Sequence, residues 1–259
     1  MSAKGLRELA AATDRVCRLL WVLRAAEPEI LELIERRGSQ GYVHYLTSRL
    51  GLLPEPRWPA VVRIVPPSLV DHLLPRCREL DSRRYVEEAL AAASAALKRR
   101  HPDPLPEGMS RLVRGEVQGE LGAAFAAVPR TGERPLDFLL DSMALREERS
   151  HLHFQAGEEA GWSDLQLMLV NAAWRGGSPL KVAAQFRWAE EAAQAELVAL
   201  ADRGLMDRDG ALTPKGREER EALERETDSR VAAALASRGV ADASAEISEI
   251  APVLLEDRQ

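Results

Sequence analysis

Cysteine is scarce in this chain. Cys17 and Cys77 are the two present among 259 residues. They are too few and too far apart for a zinc knuckle, a CxxC redox pair or a disulfide framework, and both are expected to be buried thiols in a reducing cytoplasm. Long apolar runs are missing as well. None approaches the roughly 18–20 residues a membrane helix needs, and the start MSAKGLRELAAATDRV is amphipathic rather than a signal peptide. Aromatic residues make up 5% of the chain and β-branched residues are sparse, which argues against a large sheet. Positive charge is short too: 35 Lys and Arg against 41 Asp and Glu leave a net charge of −6, the reverse of a phosphate-binding protein. HExxH and Gly-rich phosphate loops are absent, so neither a metal nor any particular cofactor is assigned.

What is present is Ala and Leu in helical register. The expected architecture is mainly α: a helical N-terminal layer packed on a C-terminal winged helix with one β-hairpin wing. Leu6, Leu9, Val16, Leu19, Leu20 and Leu23 recur at helical spacing, predicting a helix over 6–24. A second helix follows to Arg37, stopped by Gly38. A proline turn at Pro66-Pro67 opens a helix ending at Leu74-Pro75. A long Ala-rich helix then runs to about Arg100, capped by Asp81 or Ser82. Pro102, Pro104 and Pro106 cannot lie inside a helix and mark a surface linker. Beyond it, helices are expected over Met109–Val128 and Pro135–Gly157. The organisation is therefore 1–100, a helical region; 107–157, central helices; 162–236, the winged helix; and 243–256, a final amphipathic helix.

The most legible stretch runs from Trp188 to Thr227. Leu197, Leu200 and Leu205 mark the apolar side of a helix, with Gly204 placed to end it. Asp209-Gly210 between Leu205-Met206 and Ala211-Leu212 is a strong hairpin signal. Thr213-Pro214 then opens the next helix as cap and first residue. The pattern R-G-L-x-x…L-T-x-x-G-R is similar to the wing of MarR-type regulators. Farther upstream, Leu145-Arg146-Glu147-Glu148-Arg149-Ser150-His151-Leu152-His153 resembles an L-R-E-x-R-x-x-x-H motif. Val65-Pro66-Pro67-Ser68-Leu69-Val70 resembles F-x-P-x-L-V, and Gly41-Tyr42 with Ser48-Arg49 resembles parts of G-Y-F-x-S-R-x-A-P-L-G. Together these motifs resemble the SalK-like family of actinobacterial winged helix-turn-helix proteins. His151 departs from the family pattern, and His44 has no counterpart in it. The resemblance implies a winged-helix fold and, through the first and last amphipathic helices, a homodimer.

The candidate site centres on the Arg146–His153 run. Arg146, Arg149 and His153 share a face at helical spacing, and two guanidiniums can hold a carboxylate or phosphate bidentately. Glu147 or His153 is the candidate acid or base. Tyr42, His44, Tyr45 and Arg49 form a second candidate lining, with Trp188 added from the start of the reading helix. The bland alternative is that these charges are salt bridges tying helices together. His151 and His153, two apart on a helix, point in different directions and make a poor metal pair.

A helix-turn-helix reads bases with the first turns of its second helix. Here those turns hold Glu190, Glu191 and Glu196 with one amide, Gln194, and the wing tip is Asp207-Arg208-Asp209-Gly210. Carboxylates facing phosphate lower affinity. Two functional expectations follow, with a purely structural or partner-binding module as a third. One is a winged-helix-derived protein that binds a small anionic molecule, or an enzyme acting on it by acid–base chemistry, with DNA reading lost. The other is a MarR-like, ligand-responsive transcriptional regulator that binds DNA. A positive track through Arg175, Lys181, Arg187 and Lys215 would favour the second.

Overall fold

The structure is a computed structural model that describes residues 1–18, 27–101, 105, 108–240 and 243–247. Helix α1 (Ala3–Arg18) buries Leu6, Leu9 and Ala12. The rest of the helix expected to reach residue 24 lies outside the described residues, as do most of the proline linker and the last helix beyond Ile247. Helix α2 (Pro28–Arg37) opens on a proline and closes at Gly38, whose φ of 60° lets its N–H turn back onto Glu35 and Ile34. Helix α3 (Tyr42–Leu50) follows, then the short α4 (Trp58–Val61).

Helix α5 (Pro67–Glu79) corrects the expectation of an end at Leu74, because it runs straight through Pro75. That proline lacks a single backbone donor, and four more residues still continue the helix after it. Helix α6 (Ser82–Arg100) is capped by Asp81, which accepts from the Arg84 N–H. The single helix expected over 109–128 is two: α7 (Gly108–Leu112) and α8 (Glu120–Ala126). Gly115 and Gly119 between them sit at φ 88° and 82°, which no right-handed helix contains. Helix α9 (Arg134–Glu159) carries the charged motif. Helices α10 (Asp164–Trp174), α11 (Pro179–Gln185), α12 (Glu190–Asp202) and α13 (Pro214–Ser237) complete the series.

The chain divides into two compact units. The first takes Met1–Trp58, Leu73–His151 and the chain from Arg230; the second takes Pro59–His72 and Leu152–Ser229. In the first, α2 and α3 pack against α6 around Leu33, Leu46, Leu50, Tyr85, Ala89 and Ala93. In the second, α10, α11 and α12 pack on one another around Leu169, Val170, Ala183, Ala193, Leu200 and Leu205. Each such leucine or valine contributes about 1.5–3 kcal/mol when fully buried.

Residues 59–72 belong to this second unit by specific contacts. Arg63 places two hydrogen bonds on the Asp164 carboxylate at 2.9 Å each and lies 4.9 Å from the Phe154 ring centroid. The Trp188 indole N–H donates to the Ile64 carbonyl at 3.1 Å.

The wing is smaller than the two-stranded hairpin expected. Among the described residues it consists of one antiparallel bridge, Met206 to Leu212. The reason is local. The Asp207 carboxylate accepts from the Asp209 and Ala211 N–H groups at 3.0 and 2.8 Å, so the turn consumes the residues that longer strands would need. The wing is then pinned to α13. Thr213 Oγ1 donates to the Gly204 carbonyl at 2.7 Å and accepts from the Gly216 N–H at 3.0 Å. A methyl group on Gly216 would stand 1.9 Å from the Leu205 carbonyl oxygen. This gives the glycine of L-T-x-x-G-R its physical reason. Gly216→Ala should therefore cost about 1–3 kcal/mol, the usual range for forcing an atom into a packed site. An unchanged urea midpoint would show that wing and helix do not close as described.

Candidate functional site

The motif on α9 spreads its charges in several directions. Successive helical residues point roughly 100° apart, so Arg146, Glu147 and Glu148 each meet a different partner. Arg146 Nε donates to Asp14 of α1 at 3.3 Å. Glu147 accepts from Arg49 of α3. Glu148 accepts from Arg238, just past α13, at 2.7 and 2.8 Å, and from the Gln118 N–H at 2.8 Å. Arg149 is half-buried. All of these residues lie in the first unit.

Arg49 is the centre of the sequence-predicted lining. Its Nη2 donates to both Glu147 carboxylate oxygens, at 2.8 and 2.9 Å. Its Nη1 donates to the Tyr45 hydroxyl, and its guanidinium lies 4.9 Å from the centre of the Tyr45 ring. Tyr45 and Arg49 meet because they stand one turn apart on α3. The Tyr42 ring meets Tyr45 edge-on, with centroids 5.9 Å apart. Burial pushes the Tyr45 hydroxyl up to about 12, against the opposing pull of Arg49. The hydroxyl is therefore neutral at any ordinary pH and accepts from Arg49. The structure thus brings Tyr42, Tyr45, Arg49 and Glu147 together, with both carboxylate oxygens of Glu147 occupied.

His44 belongs to a different cluster. Its Nδ1 lies 2.6 Å from the Tyr85 hydroxyl, which is itself 2.5 Å from Ser39 Oγ. All three side chains are completely buried. Burial again drives the tyrosine, pushing Tyr85 up to about 12. Cys77 of α5 is a buried free thiol, also pushed up by burial. Sequence reasoning missed Tyr85 and Ser39. The one available signal was a lone aromatic on an Ala-rich helix.

His153 falls in the second unit. Its Nδ1 is 3.1 Å from Thr227 Oγ1 and 3.7 Å from Glu224 Oε1. Thr227 already donates to the Leu223 carbonyl, so its oxygen accepts from the imidazole and Nδ1 carries the proton. Glu224 is also paired with Arg220 at 3.1 Å. His151 lies against Gly119 instead, where an added methyl group would be 2.7 Å from its Cβ, so the two histidines serve different surroundings. Among the described residues no group of three His, Cys, Asp or Glu is arranged to hold a metal ion.

Helix α12 is tied to the start of α10. Helix α10 opens with a capping box in which Ser163 and Gln166 satisfy each other's backbone. Glu196 of α12 accepts from both, from Ser163 Oγ at 2.8 Å and from Gln166 Nε2 at 2.6 Å. One of the three glutamates noted in the sequence is thus an internal strut. Glu190 and Glu191 remain exposed in the first turn of α12. Trp188 precedes the helix rather than beginning it, and its ring packs on the α10–α12 core.

Helices α10, α11 and α12 pack on one another. A family model described as a helix-turn-helix family matches residues 6–256. The chain belongs to this helix-turn-helix family. No curated protein and no solved structure matches it. In this helix-turn-helix protein the match extends well beyond the α10–α13 segment. The α9 motif and the α3 lining are therefore part of the family's own extent. Among the described residues no helix is long and apolar enough to cross a membrane.

Proposed function

We propose that this is a SalK-like, MarR-related protein that has lost base reading and binds a small anionic molecule. The observation that carries the first half is the first turn of α12. Glu190 and Glu191 are exposed there, where a reading helix would offer donors to bases and cations to phosphate. The wing tip adds Asp207 and Asp209, both exposed. Each carboxylate beside phosphate opposes the counterion release on which non-specific DNA affinity depends.

The second half rests on the cationic row of α9. Arg146 and Arg149 stand within one turn and both keep partial exposure, so they are the candidates to hold a carboxylate or phosphate. Arg49 and Glu147 hold the adjoining helix in place. Acid–base chemistry, where the protein performs any, falls to Glu147 in the first unit or to His153 in the second. His153 is held at its Nδ1 by Thr227, and an imidazole is the side chain suited to proton exchange near neutral pH.

Membership of a helix-turn-helix family supports a rival reading, a ligand-responsive DNA-binding regulator. One pair of measurements separates the two. In a gel-shift assay at low salt, DNA from the region upstream of the protein's own coding sequence should give no specific complex. In a thermal-shift screen of small carboxylates and phosphates, a true ligand at about 100 times its Kd should add about 2.7 kcal/mol of stability. That gain should vanish in Arg149→Ala. A specific DNA complex would sink the first half, and a stabilisation indifferent to Arg149→Ala would sink the second.

A further inference from the structure

The three ion pairs of the α9 motif within the first unit are not built alike. Glu147 and Glu148 each meet a guanidinium through two short bonds, between 2.7 and 2.9 Å, and both pairs are buried. The third pair is longer and wetter. Arg146 Nε donates to one Asp14 oxygen at 3.3 Å, against about 2.7–2.9 Å for a typical bond between opposite charges. The two side chains keep 19% and 38% of their surface in solvent. The position of Asp14 follows from α1. Leu6, Leu9, Ala12 and Thr13 are buried, and the Thr13 hydroxyl donates back to the Leu9 carbonyl at 3.0 Å. One residue further round the helix, Asp14 stands at the margin of that buried face. The Arg146 charge also acts on the Tyr45 hydroxyl, so this guanidinium borders the α3 lining.

We infer that Asp14 is a built-in stand-in for the ligand: its carboxylate holds the place on Arg146 that a free monocarboxylate takes, and α1 must release Arg146 before the ligand binds. This rests on the ligand half of the proposed function and adds the ligand's class and the residue that gates it. Exchange of one carboxylate for another leaves the charge beside Arg146 unchanged. A dianionic phosphate would instead add a negative charge next to Glu147 and Glu148, which opposes it. The long, half-exposed pair suits displacement, because ion pairs of this kind favour the closed form by no more than about fivefold. The short buried pairs of Glu147 and Glu148 do not suit it, since opening either leaves a charge enclosed. A site whose open form is only part of the population binds more weakly by that fraction, so Asp14 sets the ligand concentration at which the site fills.

Acetate, the free counterpart of the Asp14 carboxylate, and inorganic phosphate test this when titrated into the full chain at constant ionic strength, with the melting temperature as readout. In Asp14→Asn the acetate concentration needed for a given rise should fall, by up to about fivefold. Asp14→Glu keeps a carboxylate and should retain most of the competition. Arg146→Gln should remove the acetate response with either residue at position 14, and phosphate should be the weaker ligand throughout. Hydrogen exchange follows the gate itself. Acetate should speed exchange of the amides around Asp14 in the native protein and leave it unchanged in Asp14→Asn, where they are already released. An acetate response that Asp14→Asn does not move, or exchange around Asp14 that does not quicken in acetate, overturns the inference. Phosphate stabilising better than acetate overturns the ligand class. Each of these results leaves standing a stabilisation that depends on Arg149, and with it the ligand reading. A protein that no carboxylate or phosphate stabilises loses that reading, and the gate with it.

Discussion

Replacing Arg238 by alanine should destabilise the protein by about 3–5 kcal/mol, the cost of breaking a buried ion pair from one side. Both side chains of the Arg238–Glu148 pair are 2% exposed. The guanidinium places one nitrogen on each Glu148 oxygen and donates from Nη1 to the Glu116 carbonyl at 3.1 Å. Without it, Glu148 keeps the Gln118 N–H as a partner but remains a carboxylate in a site that excludes water. The neighbouring backbone is shaped around the arginine. Gly115 sits at φ 88°, and a methyl group there would be 3.3 Å from the Arg238 Cγ. Shifting only the charge balance should cost less, so Arg238→Met combined with Glu148→Gln should recover much of the loss. Urea unfolding checks this through midpoints at unchanged slope. Equal losses in the single and double variants would mean that the pair is not coupled.

This pair also shows where sequence reading stopped. Helix punctuation was legible because it is local. Gly38, Gly204, Asp209-Gly210 and Thr213-Pro214 act through their own φ angles and caps, and the structure finds the stops and starts where these residues stand. The break between α7 and α8 was equally local and was overlooked. Gly115 and Gly119 were in plain view, but the flanking apolar residues keep helical spacing on both sides. The wing's length was not legible, because it depends on where the Asp207 side chain turns.

Partnership across the fold was the part that local pattern does not encode. The spacing of Arg146, Glu147, Arg149 and His153 places them on one helix, but the partners of Arg146, Glu147 and His153 come from distant segments. Asp14, Arg49 and Thr227 are 132, 98 and 74 residues away from theirs. Glu148 was passed over as a plain spacer in the motif, although it is 1% exposed and more completely buried than Glu147. Adjacent carboxylates on a buried helix require two separate cations, and that requirement is the physical clue the sequence did contain.

Arg49→Ala should be the other large loss, again about 3–5 kcal/mol, because it leaves Glu147 charged and enclosed. The position also decides what Glu147 is for. Arg49 and Glu147 side chains are 7% and 5% exposed, and the guanidinium occupies both carboxylate oxygens while also reaching Tyr45. A carboxylate held this way engages the guanidinium through both of its oxygens. Glu147→Gln, nearly the same shape, breaks the charge pair while keeping an oxygen to accept from Arg49. If Glu147 is structural, Glu147→Gln and Arg49→Lys should lower the melting temperature, and any ligand stabilisation through Arg149 should persist at the working temperature. If Glu147 is the proton carrier, Glu147→Gln should leave ligand binding intact and abolish turnover, whereas Arg49→Lys, which keeps the carboxylate, should retain part of it. The two roles are thus separated by a readout that loss of stability alone does not move, and the buried fork geometry favours the structural one.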